Sequence, residues 1–209
     1  MLSAAEVTSI FESYSLQTSP ALAQQFLEYT RLLLAWNRKI SLTAIQDPEE
    51  IVRFHFAESM LGAKVADLHD GRLADVGSGP GFPGLAIKLY RPEVALTLIE
   101  SNTKKCAFLS EVARELGLAG VEVLHSTYQE LKISEPFDAV TARALGELGA
   151  LIGWARSSLL PKGNLALWLG QNGVREAMQT GAEWKWHAPY PIPGSDRRFI
   201  LVGNPPTAR

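Results

Sequence analysis

The stretch LADVGSGPGFPG, Leu73 to Gly84, limits the fold more than any other part of this chain. Three apolar positions around an acid run directly into four glycines and two prolines. Glycine loses the most backbone entropy in a regular element and proline removes an amide donor, so neither helix nor strand continues through that run. A buried strand must therefore end near Val76, turn tightly and open a helix at LAIKLY, Leu85 to Tyr90. The alternation then repeats. VALTLIE reads as a second strand ending in Glu100. TKKCAFLSEVARELG reads as an amphipathic helix with Cys106, Leu109, Val112 and Leu116 on one face and Gly117 as its stop. VEVLHS, FDAVTAR and NLALWLG supply three more strands, with a helix over Leu145 to Leu160 between the last two. WKWHAPYPI and RFILVG close the sheet as an antiparallel pair. This alternation predicts an α/β fold, a doubly wound and mostly parallel sheet of seven strands with Rossmann-like winding.

The first seventy residues have another character and read as helices. Ser3 with Glu6 fits a capping box. Ser19-Pro20 gives an N-cap and a favoured first helical residue, and Leu22, Phe26, Tyr29, Leu33 and Trp36 follow at a helical repeat. Asp47-Pro48-Glu49-Glu50 starts a further helix, with acids at the positive end of its dipole, that carries Ile51, Phe54, His55, Glu58 and Ser59. Residues 1–70 are thus expected to form a helical cap on a sheet domain of residues 71–209, joined across Gly62 to Gly71.

With 209 residues, 46% of them hydrophobic and 20% charged, the chain can bury one sizeable core. A net charge of −2 neither advertises nor excludes a nucleic-acid partner, because such binding needs a local basic patch. Cys106 is the only cysteine, which excludes an intrachain disulfide and a cysteine zinc cluster, and no metal site is read from the sequence. The N-terminal stretch carries acids early, without the apolar run of a signal peptide, and no run of about 18 apolar residues occurs. A cytoplasmic monomer is the expectation.

A strand ending in a glycine turn that opens a helix is expected to set backbone amides against a ligand at the carboxyl edge of a sheet. Two templates fit. Gly77, Gly79 and Gly81 match the D-x-G-x-G-x-G loop of S-adenosylmethionine (SAM) enzymes, and Gly79, Gly81 and Gly84 match the dinucleotide G-x-G-x-x-G. Asp75 favours the first, since a carboxylate at the strand end suits a methionine ammonium and repels a pyrophosphate. Pro80 and Pro83 also remove amides that a pyrophosphate would use. Glu100 stands where a carboxylate would accept hydrogen bonds from the ribose hydroxyls of either cofactor. Tyr128 and Gln129, after the third strand, offer an adenine ring a stacking face and an amide. Arg143 ends the fourth strand at the crevice mouth. A NAD-dependent oxidoreductase and a non-catalytic SAM- or RNA-binding module remain alternatives.

Over nearly its full length the chain resembles the glucose-inhibited division protein B family, guanine-N7 methyltransferases of small-subunit ribosomal RNA. The resemblance rests on LLLAWNRKISLTAIQDPEEIVRFHFAES, DVGSGPGFPGLAIKLYRPE and VTARAL. It implies a SAM-dependent enzyme that methylates N7 of a guanine in the decoding-region loop of 16S ribosomal RNA. Carried over by residue, the SAM contacts are Gly77, Phe82, Tyr128 with Gln129, and Arg143. The chain departs from the family at Ser41, where N-L-T is usual, at Glu58, where H-x-x-D-S has aspartate, and at Leu169, often a lysine.

Guanine N7 carries an in-plane lone pair at neutral pH, so the transfer needs alignment rather than a strong base. His55 and Glu58, one helical turn apart, are the candidate catalytic residues, placed to stabilise charge moving onto the purine. Candidate cations for RNA are Arg31, Arg38, Lys39, Arg53, Lys104, Lys105, Arg197 and Arg198. Within them Arg38, Lys39, Arg53 and Arg197, together with Asn37 of the WNRK cluster, are the preferred contacts. So modest a patch predicts salt-sensitive binding and a need for a folded rRNA domain or assembled subunit.

Overall fold

The computed structural model describes residues 2–144 and 146–206. Two capped helices open the chain, α1 (Ala4–Ser13) and α2 (Pro20–Asn37). The Ser3–Glu6 capping box is formed, and Ser19 accepts the Leu22 amide ahead of Pro20. Asp47 caps α3 (Pro48–Glu50), which continues as a π-helical segment, Ile51–Ala57, and then as α4 (Glu58–Val65). Gly62 lies inside α4, so the join expected across Gly62 to Gly71 is shorter than that.

Next come β1 (Arg72–Val76), α5 (Gly84–Tyr90), β2 (Ala95–Glu100), α6 (Thr103–Glu115), β3 (Val121–His125) and β4 (Phe137–Arg143). The chain ends through α7 (Leu148–Ser158), β5 (Leu159–Gly170), α8 (Gln171–Thr180), β6 (Lys185–Trp186), β7 (Tyr190–Pro191) and β8 (Arg198–Asn204). The helix expected from Leu145 starts at Leu148, and Leu145 itself lies outside the described residues. The order is β3-β2-β1-β4-β5-β8-β6, with β7 also on β8. The first five strands pair in parallel and β8 runs antiparallel to β5. The seventh position is thus shared by two two-residue strands, β6 and β7, as the closing pair in the sequence predicts. α8 has no counterpart in the sequence reading. Only Val174 and Ala177 of its ten residues are buried, too few to mark an apolar stripe.

Strand order reverses between β1 and β4, and an open α/β sheet binds ligands at the carboxyl ends of strands flanking such a reversal. One apolar core continues from Val7, Phe11 and Phe26 of the N-terminal helices to Leu73, Leu98 and Ile200 of the sheet. A second fills the other face between the sheet and α7 and α8. Among the described residues no helix is long and apolar enough to cross a membrane.

Gly62 fixes the contact between α4 and β5. A Cβ there would lie 1.9 Å from Cζ2 of Trp168, whose Nε1 donates to the Glu58 carbonyl at 2.9 Å. Overpacking a buried site costs about 1–3 kcal/mol, and about 2–4 °C is lost per kcal/mol in a chain of this size. Gly62→Ala should therefore lower the melting midpoint by several degrees in scanning calorimetry, and an unchanged midpoint would contradict this seating of Trp168.

Candidate active site

The glycine loop leaves β1 at the reversal point. Gly77, Gly79 and Gly81 hold φ values of 67°, 55° and 89°, which glycine adopts without steric cost. Asp75 organises the loop from beneath: Oδ2 accepts the Gly84 amide at 3.1 Å and Oδ1 accepts the Thr141 hydroxyl at 2.8 Å. The carboxyl is fully buried, and burial pushes its pKa up to about 7 against the hydrogen bonds from Thr141, Gly84 and Ser78. The expected contact with a methionine ammonium is therefore corrected, since the carboxyl has no exposed surface and its bonds are made inside the fold. A Cβ at Gly84 would stand 2.7 Å from Asp75 Oδ2, whereas one at Gly79 would meet nothing nearer than 3.8 Å. The first glycine admits the carboxylate; the second leaves open space beside the loop.

Each N–H from Gly77 to Leu85 already has an acceptor within the protein. Gly77 and Ser78 donate to the Ile99 carbonyl at 2.9 and 3.1 Å, and Gly79 to Glu100 Oε2 at 2.8 Å. Gly81 and Phe82 donate to the Ser78 carbonyl, Gly84 to Asp75 and Leu85 to the Gly81 carbonyl. Pro80 and Pro83 have no amide proton. The expectation that this loop turns free amides toward a ligand is overturned. Such a loop offers a pyrophosphate no donors, which removes the physical basis of the dinucleotide template. Glu100 also accepts the Asn102 amide at 2.8 Å, and each of its oxygens keeps a second lone pair.

The crevice mouth is built from the helical segment and the ends of β4 and β8. Glu58 is 1% exposed; Arg143 Nη2 lies 3.3 Å from its Oε2, and Arg198 forms an ion pair with Oε1. Burial raises the Glu58 pKa while both guanidiniums oppose that. Arg143 keeps Nη1 buried without a partner. His55 stacks on Phe82, with centroids 4.5 Å apart and planes at 14°. Its Nε2 lies 2.8 Å from Thr43 Oγ1, and its Nδ1 is buried and unpartnered. Burial, then the Arg143 charge, pull the imidazole pKa down to about 3, so the ring is neutral at physiological pH.

Other candidates fare differently. The Tyr128 ring is buried edge-on to Trp154 at 5.6 Å, so it offers adenine no open face, whereas Gln129 is exposed. Tyr128 and Lys132 have the Tyr-x-x-x-Lys spacing of one oxidoreductase group, but the hydroxyl is buried and the ammonium exposed. Asn37 is withdrawn as an RNA contact. Its Oδ1 accepts the Leu42 and Thr43 amides and its Nδ2 donates to the Thr43 carbonyl, which folds the loop leading to His55. Arg53 is paired with Glu49 at 2.8 Å and Arg31 with Glu28 at 2.6 Å. Arg38 and Lys39 are exposed on the loop that Asn37 folds, and Arg197 lies 3.8 Å from an equally exposed Asp196.

Residues 22–193 match the family model described as GidB, rRNA small subunit methyltransferase G. The chain belongs to this family. It is 35% identical over 195 residues to ribosomal RNA small subunit methyltransferase G of Stenotrophomonas maltophilia, covering 91% of each chain. It is 40% identical over 151 residues to the Pseudomonas aeruginosa protein of the same name, covering 72% of this chain and 69% of that one. Among solved structures, a ribosomal protein L11 methylase from Lactobacillus delbrueckii subsp. bulgaricus superposes with a TM-score of 0.64 at 18% identity, over 74% of this chain and 79% of the other. The GidB chain thus has the class I methyltransferase fold.

Three residues that hold the site were not legible as such. Tyr29 fits the apolar stripe of α2, yet its hydroxyl donates to the Pro80 carbonyl at 2.7 Å. Thr141 looks like a strand residue; a hydroxyl in a central apolar strand was its one signal. Thr43 lies in an irregular segment. For Asp75, a folded pKa of about 7 against an ordinary 3.8 means that the folded chain keeps a proton the unfolded chain has released. The stabilising effect of that proton is complete below the ordinary value and is lost as pH rises through the folded one. Asp75→Asn lacks this titration, so its urea midpoint should gain on the native chain's between about pH 4 and pH 7. Parallel curves would deny the carboxylate this role.

Proposed function

We propose that this GidB-family protein transfers a methyl group from SAM to N7 of a guanine in 16S ribosomal RNA. The observation that carries the reading is the glycine loop, whose amides are all satisfied internally and which opens at Gly79 beside the lone pairs of Glu100. Those features fit a nucleoside without phosphates. Glu100 would hold the ribose hydroxyls, Gly77 and Gly79 would admit close approach along the backbone, and Gln129 would reach the adenine edge. The unpartnered Nη1 of Arg143 would take the methionine carboxylate. When bound, SAM supplies an electrophilic sulfonium methyl.

The rest falls to the protein's own side chains. No base is required, because N7 attacks with a lone pair it already has, and His55 with a pKa near 3 is not poised to be one. Glu58, held between Arg143 and Arg198, sets the charge at the crevice mouth as positive charge moves onto the purine. Arg38, Lys39 and Arg197 would meet phosphates, and an assembled small subunit or folded rRNA domain in the cytoplasm is the expected substrate of a monomeric enzyme.

The test is transfer of label from radioactive SAM to small subunits of a strain lacking the activity, with borohydride–aniline cleavage to locate 7-methylguanine. One labelled guanine is expected. Binding of SAM without transfer would favour a non-catalytic module, and label at another atom would overturn the acceptor assignment. Exchange of Arg38 and Lys39 for alanine should flatten the slope of log affinity against log salt by about 0.7 per side chain, the value for single-stranded contacts.

A further inference from the structure

We propose that His55 is the stacking platform for the target base, with guanine lying on the imidazole face turned away from Phe82. The inference rests on the guanine-methylation reading above and adds the residue that positions the acceptor.

The ring's surroundings leave little else for it to do. One face is covered by Phe82 at 4.5 Å and near-parallel planes. The Nε2 edge is held by the Thr43 hydroxyl at 2.8 Å, which itself accepts the Ile45 amide at 3.1 Å. The Thr43 hydroxyl and Nε2 share one hydrogen bond, whose direction follows the imidazole tautomer. Nδ1 is buried, yet the residue as a whole is only half-buried, and the base would take the face opposite Phe82. A neutral imidazole backed by a phenyl ring is a flat apolar surface of the kind on which splayed RNA bases stack.

The platform is rigid and well placed. Phe82 belongs to the glycine loop and is braced by Tyr29 at 5.5 Å and Phe56 at 5.4 Å, so the His55 plane is set by three rings fixed in the core. The π-helical segment carries Phe54, His55 and Phe56 in three different directions: Phe54 under the Arg198 guanidinium at 4.8 Å, Phe56 into the core, His55 onto the loop. Wide π turns recur at functional sites because they re-aim side chains in this way. A base on His55 would lie one ring from the loop that admits the cofactor, with Arg143 and Glu58 alongside.

The experiment compares His55→Ala and His55→Phe with the native enzyme. Stacking on a protein aromatic is worth about 1–3 kcal/mol per base by alanine substitution, so His55→Ala should lower kcat/KM by about 5- to 150-fold. His55→Phe should recover most of that loss while removing every proton and hydrogen bond of the imidazole. The native kcat/KM should have no inflection between about pH 5.5 and pH 8 that His55→Phe abolishes. A readout independent of turnover comes from small subunits reconstituted on 16S RNA with 2-aminopurine at the acceptor position. Native enzyme and His55→Phe should quench its fluorescence on binding, and His55→Ala should leave it bright. Failure of phenylalanine to rescue, an inflection lost with His55→Phe, or equal fluorescence for all three would overturn the platform. If native enzyme methylates no guanine N7 at all, the functional reading fails instead.

Discussion

Phe82 is where the N-terminal helices take hold of the glycine loop. Tyr29 from α2, and Phe56 and His55 from the π-helical segment, surround its ring, while the Tyr29 hydroxyl holds the Pro80 carbonyl two residues earlier. A loop with four glycines has little conformational preference of its own, and glycine enters many backbone states. Here its shape is imposed from both sides. The aromatic cluster grips it from above, and Asp75 grips Gly84 from below. A Cβ at Gly81 would lie 2.3 Å from the Tyr29 hydroxyl, so the glycine is required by that grip as much as by its φ of 89°. The helices ahead of the sheet are therefore part of the loop's definition. A methyltransferase sheet without them would not hold this loop in this form.

The satisfaction of every loop amide follows from that grip and decides the electrostatics. In phosphate-binding loops the amides converge on an anion, and the helix dipole adds to them. Here the Ile99 carbonyl, the Glu100 carboxylate, the Ser78 carbonyl and Asp75 take those donors first. What remains at the surface of the loop is carbonyl and carboxylate lone pairs with room beside Gly79. That surface suits hydroxyls and a cationic sulfonium. The proton that Asp75 retains up to about pH 7 lessens the negative charge on the buried side of the loop below that pH.

Much of this was legible in the sequence where local chemistry decides. The caps at Ser3, Ser19 and Asp47, the strand ends at Val76 and Glu100 and the stop at Gly117 depend on residues within a few positions of one another, and each stands where the pattern puts it. The fold class followed from the alternation. Misreadings arose where partners are distant in sequence. Asn37 looks like an RNA contact beside two cations, but the amides that donate to it lie five and six residues on, and so does the carbonyl it donates to, that of Thr43. Asp75 looks like a ligand until Thr141 arrives from β4. Tyr128 looks like an open ring until Trp154 covers it from α7. α8 escaped because two buried residues in ten make no stripe.

Glu58 illustrates how one departure from a family pattern can be absorbed. An aspartate, which the family resemblance implies at this position, would hold its carboxylate one methylene nearer the helix. The longer side chain here reaches Arg143 from β4 and Arg198 from β8 while remaining almost wholly buried. A lone buried carboxylate would be costly, and one placed between two guanidiniums is compensated on both oxygens. Arg198 is itself steadied over the Phe54 ring, so the residues before and after His55 in the same π-helical segment anchor different parts of the site. Trp168 completes the arrangement by donating to the Glu58 carbonyl and filling the space that Gly62 leaves open. The helical segment is thereby fixed to β4, β5 and β8 together, and the imidazole plane, the carboxylate and the glycine loop are held in one rigid frame.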